Sequence, residues 1–150
     1  MGARPSAANE VTIARPVDEV FAFFSNPADN DTRWRPGLVA ITHRSGQGVG
    51  ARYAQQMKGP GGAPIKTETE ILALDPPRRI EFVTVKGLIR PRGRFTFREA
   101  DGGTTVRFEL EAELGRLKGL LMGSSVQKTM VSEVGNLARA KDVLEAPPAT

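Results

Sequence analysis

The chain has 150 residues, 39% of them apolar and 25% charged, with a formal net charge of +4, the balance of one globular domain with its own core. It contains no cysteine and one histidine, which removes disulfide frameworks, thiol nucleophiles, cysteine-ligated zinc and any local histidine metal motif. No apolar run can span a bilayer and the opening MGARPSAANE lacks the apolar stretch of a secretory signal, so a cytoplasmic location is expected.

We take residues 1–150 as a single domain whose ends, about 1–8 and 146–150, are expected to fray where small residues and proline crowd. A short strand is predicted over 10–15. Pro16 then opens a helix: proline suits the first turn, Asp18 and Glu19 suit its positive end, and Val17, Val20, Phe21 and Phe24 share one face. The turn-rich segment 26–35, NPADNDTRWR, has room for a short second helix and ends at Pro36-Gly37.

From Leu38 to Leu114 the period becomes two. Strands are predicted over 38–45, 49–58, 64–74, 79–86, 91–99 and 104–114, separated by SGQG, GPGGA, DPPR, GLIR and ADGG, all short enough for antiparallel hairpins. From 117 to 144 the pattern is helical with no proline before Pro147. Val126, Met130, Val134, Leu137 and Leu144 form one stripe, broadened by Leu117, Leu120, Leu121, Val131 and Ala138.

The last hairpin can be registered from its turn. Asp101-Gly102 favours a two-residue loop pairing Ala100 with Gly103, which sets Phe97 opposite Val106, Phe95 opposite Phe108 and Gly93 opposite Leu110. On the other face Arg94 meets Glu109, Arg92 meets Glu111 and Arg90 meets Glu113. The basic run RPRGR is thus neutralised by its partner strand, and no nucleic-acid binding is expected.

Extending the alternation leaves one charged face and one nearly uncharged. The inner face comprises Ala51, Tyr53, Gln55 and Met57; Ile65, Thr67, Thr69, Ile71 and Ala73; Ile80, Phe82 and Thr84; Gly93, Phe95 and Phe97; and Val106, Phe108, Leu110, Ala112 and Leu114. Tyr53, Gln55, Thr67, Thr69 and Thr84 cluster in the middle strands, where buried polar groups need hydrogen-bond partners. A partly hydrated cavity accounts for them better than a sealed core, although β-propensity alone would also favour threonine.

The order of elements resembles the helix-grip fold of the START/Bet v 1-like (SRPBCC) superfamily. VTIARPVDEVFAFFSNP is similar to its opening strand, proline-started helix and loop, and Trp34-Arg35-Pro36-Gly37 to its tryptophan before the second strand. GVGARYAQQM, LDPPRRIEF, and GRFTF with DGGTTVRFELE resemble later strands, and the likeness, over about 9–145, is nearest the bacterial polyketide cyclase/dehydrase-like branch. It implies an α+β fold, a curved seven-stranded antiparallel sheet around a long C-terminal helix, with a deep cavity for an apolar or amphipathic molecule.

The residues this chain offers such a cavity are Trp34, Tyr53, Gln55, Met57, Thr67, Thr69, Ile71, Phe82, Thr84 and Phe95, with Met122, Val126 and Met130 from the helix. No Asp, Glu or Lys is expected near its centre, which favours a binder over acid–base chemistry. Two catalytic candidates remain. His43 faces inward if Val39 and Ile41 do, as a base or ligand contact, but a one-residue slip turns it to solvent. The phenol of Tyr53, the sole tyrosine, could orient or protonate a carbonyl, or simply line the wall.

Gly46-Gln47-Gly48-Val49-Gly50 precedes a strand rather than a helix, so it is a turn and not a dinucleotide loop. Gly115, Gly119 and Gly123 would either loosen the start of the last helix as a gate or pack it on the first helix. Two functions stay open. One is a carrier of a lipid- or polyketide-like small molecule. The other is a cyclase or dehydratase in which Tyr53 and Gln55, with His43 if it faces inward, polarise a carbonyl. No cofactor or metal is expected, nor stable membrane association, and the chain is expected to be a monomer or homodimer.

Overall fold

In the computed structural model, which describes residues 4–147, seven strands form one antiparallel sheet in the order β1-β7-β6-β5-β4-β3-β2. They are β1 (Ser6–Ile13), β2 (Leu38–Ser45), β3 (Arg52–Lys58), β4 (Pro64–Asp75), β5 (Arg79–Lys86), β6 (Arg92–Ala100) and β7 (Gly103–Glu111). Between β1 and β2 lie helices α1 (Val17–Phe24) and α2 (Pro27–Asn30) and a 3-10 turn, Asp31–Arg33. Helices α3 (Arg116–Gly135) and α4 (Leu137–Glu145) follow β7. This is the helix-grip architecture.

Local chemistry explains most boundaries. Pro16 is extended (φ −61°, ψ 149°) and hands a pre-set backbone to α1, whose Val20, Phe21, Phe23 and Phe24 are buried. Asp101 and Gly102 both take positive φ, and the last hairpin has the expected register, Phe97 opposite Val106, Phe95 opposite Phe108 and Gly93 opposite Leu110. Gly93 is required there, because a Cβ would run into the ring of Phe82, which covers it.

Several elements depart from expectation. β1 begins at Ser6, not Glu10, because Ser6, Ala7 and Ala8 pair with Glu111, Leu110 and Glu109, and backbone pairing overrides weak side-chain propensity. β3 begins at Arg52, since Gly48 and Gly50 hold φ of 64° and 92° and turn the chain before it. An irregularity between Ile71 and Ala73 sets Leu74, rather than Ala73, opposite the buried Ile80. β7 ends at Glu111, so the third charge pair does not form: Arg90 donates to the Gly87 carbonyl (3.2 Å) and Glu113 sits by Arg4 (3.4 Å). Arg94 and Glu109 do pair, at 3.1 Å, whereas Arg92 and Glu111 stand opposite in register with no ion pair within 4.0 Å.

The C-terminal helix is long, as expected, but divided at Asn136, where Gly135 and Asn136, both poor helix formers, interrupt it. α4 is anchored by the fully buried Leu137 and Ala140 and by Lys141, which donates to the Thr12 carbonyl (2.7 Å). α3 packs on β1 and β7 through Val126, Met130 and Val134. Beneath them lies an aromatic core in which Phe24, Trp34, Phe95, Phe97 and Phe108 meet, the closest rings being Phe95 and Phe108 at 4.2 Å.

Candidate functional site

The core does not extend evenly under the helix. Trp34, Phe95, Val126 and Met130 are buried within it, and Ile71, Phe82 and Met122 pack on it half-buried. Across β3–β5, Tyr53 pairs with Thr69 and Thr69 with Thr84, while Gln55 pairs with Thr67 and Met57 with Ile65. The expected middle-strand residues therefore do share one patch of the concave face. Tyr53, Gln55, Met57 and Thr67 are half-buried there, and Thr69 and Thr84 keep 8% and 6% of their surface.

The polar atoms of this patch are not sealed. Gln55 Nε2 and the hydroxyls of Tyr53, Thr67, Thr69 and Thr84 have no hydrogen-bond partner among the described residues. Yet no side-chain nitrogen or oxygen there is both buried and unpartnered. These atoms therefore keep some contact with solvent. At the start of α3, Leu117, Leu120 and Leu121 are 69%, 82% and 72% exposed and Lys118 donates to the Leu88 carbonyl (3.2 Å). The expected middle-strand polar groups thus stand together beside a filled aromatic core.

At the inner end of this patch lies a charge cluster that the pattern of the sequence does not announce. Arg35 donates from Nη1 to Gln55 Oε1 (2.8 Å) and Asp31 Oδ2 (3.1 Å), and from Nε to Glu133 Oε2 (3.3 Å). Among the described residues its Nη2 meets only the Met57 sulfur, at 3.7 Å, and the Trp34 indole N–H donates to Asp31 Oδ1 at 3.3 Å. The expectation of no acidic side chain near the centre is thus corrected. Arg35 keeps only 15% of its side-chain surface, and charges so placed persist because they are paired. Glu133 held one sequence clue: it follows Val126 by seven residues and Met130 by three, on the buried stripe.

The cluster shifts its own titrations. Burial pushes the Asp31 carboxyl up, with Arg35 opposing. Burial pulls the Arg35 guanidinium down, but Glu133 and Asp31 outweigh it and hold the group above its usual range. Burial, then the charges of Asp31 and Asp29, raise the Tyr53 phenol, which stays protonated and able to donate. His43 pairs with Tyr53 across the β2–β3 ladder, their rings 5.1 Å apart, but it is exposed and its Nε2 contacts the Gly46 carbonyl at 2.6 Å. Val39 is skipped by an irregularity between Leu38 and Ala40, so it does not set the inward face. Two open concavities, about 470 Å³ beside Ala14–Pro16 and about 380 Å³ between α1 and α4, lie away from this patch and are not lined by it.

Among the described residues no group of three or more His, Cys, Asp or Glu could hold a metal ion, and no helix is long and apolar enough to cross a membrane. The seven-stranded sheet and its long C-terminal helix are the fold of a START/Bet v 1-like protein. Residues 4–141 match the family described as polyketide cyclase / dehydrase and lipid transport, and the chain belongs to that family.

No curated protein matches the chain. Among solved structures, the di-domain ARO/CYC BexL from the BE-7585A biosynthetic pathway is similar with TM-score 0.78 at 22% identity, covering 97% of this chain and 51% of that one. The chain thus spans about half the length of that di-domain protein. TTHA0849 from Thermus thermophilus gives TM-score 0.79 at 20% identity, covering 93% of this chain and 97% of that one. A START superfamily protein from Mycobacterium smegmatis gives TM-score 0.71 at 14% identity, with 93% and 97% covered. At these identities the likeness is one of fold.

Proposed function

We propose that the protein binds a small apolar or amphipathic molecule, lipid- or polyketide-like, in a cleft between β3–β5 and α3. One observation supports this: the inward hydroxyls of Tyr53, Thr67, Thr69 and Thr84 and the amide nitrogen of Gln55 have no partner among the described residues and keep some contact with solvent, beside apolar side chains of Ile71, Phe82 and Met122. Such a surface suits a ligand with an apolar body and a few hydrogen-bond acceptors. The family's description, which joins lipid transport to cyclisation, agrees with it. Mass spectrometry of small molecules copurifying with the native protein tests the reading. The expected result is an amphipathic compound, displaced by Thr69→Trp, which fills the cleft; an empty protein that also takes up no added amphiphile overturns it.

A second reading, a cyclase or dehydratase, is favoured by the Tyr53 phenol standing protonated and unpaired beside Gln55. The di-domain ARO/CYC BexL, from a biosynthetic pathway, shares the fold. Turnover of a poly-β-ketone surrogate that Tyr53→Phe abolishes would establish it. Binding without turnover leaves the carrier.

A further inference from the structure

We infer that the Arg35 cluster makes this cleft select neutral carbonyl-bearing ligands over carboxylates of the same chain length, with Gln55 the residue that holds the carbonyl. The inference rests on the binding function proposed above and names its ligand class.

Three observations carry it. The first is the orientation of Gln55. A guanidinium can only donate, so the amide oxygen must face Arg35, as it does at 2.8 Å. The amide nitrogen is therefore the free end, and its two N–H groups open to the cleft. Beside it the Tyr53 hydroxyl is also unpartnered. The patch presents donors, which suits a carbonyl oxygen.

The second is charge. Arg35 stands between Asp31 and Glu133, and neither carboxylate has another cation within 4.0 Å among the described residues. One positive and two negative charges leave the cluster net negative, and Asp29 adds to the field at Tyr53. In a half-desolvated cleft that field is weakly screened, so an entering carboxylate is repelled where a neutral carbonyl is not.

The third is that the guanidinium fork is occupied. Both Nη1 protons go to Asp31 and Gln55, and the Nε proton goes to Glu133. Only Nη2, against the Met57 sulfur, retains capacity. The parallel pair of N–H groups that a carboxylate needs for two-point capture is not available.

The test uses 2-decanone and decanoate as matched probes at about pH 8, followed by calorimetry and by the fluorescence of Trp34. Wild-type protein is expected to bind the ketone at least about tenfold more tightly. Glu133→Gln keeps an acceptor for Arg35 while removing a charge, and is expected to shrink that ratio severalfold by strengthening decanoate binding. Asp31→Asn does the same from the other side and serves if the first variant does not fold. Gln55→Leu is expected to weaken the ketone and spare decanoate. Decanoate binding as tightly as the ketone, or a ratio unmoved by either charge variant, overturns the inference while leaving the binding function standing. Failure of both probes to bind overturns the two together.

Discussion

The two halves of the sheet are built to different rules. In β5–β7 and β1 the inward positions are closed mainly by aromatic and aliphatic side chains, with Val106 and Ile13 at no measurable exposure and Phe108 stacked on Phe95. In β3 and β4 the inward positions carry Tyr, Gln and Thr, and polar atoms there stay open to solvent. α3 follows the same division, since it is buried where it crosses β1 and β7 and exposes its leucines at the other end. The apolar packing is concentrated in one half, and the other holds the polar groups that the proposed ligand would use.

Mutations can break this contrast. Phe108→Ala, at the centre of the filled half, is expected to lower unfolding free energy by about 3–5 kcal/mol, measured by urea denaturation. Thr69→Val in the open half, and Thr84→Val opposite it on β5, remove hydroxyls without partners among the described residues, so each is expected to change stability by less than about 1 kcal/mol while weakening ligand binding. A loss near that of Phe108→Ala would mean that the cleft is part of the core.

A subtler test follows pH. Because burial raises the folded carboxyl of Asp31 above its ordinary value of 3.8, the folded protein binds that proton more readily than the unfolded chain. Asp31 therefore adds to stability below the ordinary carboxylate range, and that contribution is lost as pH rises through its raised folded value. Asp31→Asn should gain relative to wild type as pH rises from about 3 to 7. The reverse slope would show that attraction to Arg35 outweighs desolvation.

The filled half was legible in the sequence because its cues are local. A two-residue turn at Asp101-Gly102 sets the register of everything behind it, and alternation then sorts Phe95, Phe97, Val106 and Phe108 inward. The open half was legible only in part. Its threonines, Tyr53 and Gln55 were placed on the right face, but nothing local joins Arg35 to Glu133, 98 residues away. Irregularities at Val39 and Leu72 were likewise hidden, since a bulge costs one residue of register without altering composition. The break at Asn136 had a cue in Gly135-Asn136, outweighed by the apolar stripe running through it.

The two margins of the sheet also differ. β1 is roofed by the C-terminal helices, with Asn9 donating to the Val134 carbonyl at 3.1 Å and Gln127 donating to that of Ser6 at 2.6 Å. β2 is the uncovered margin, and its ladder with β3 slips twice, between Leu38 and Ala40 and between His43 and Ser45. A strand from another molecule needs a regular row of amides and carbonyls to dock on, and β2 offers an interrupted one studded with Arg44. The sheet is thereby a poor seed for edge-to-edge polymerisation, even with one flank unguarded.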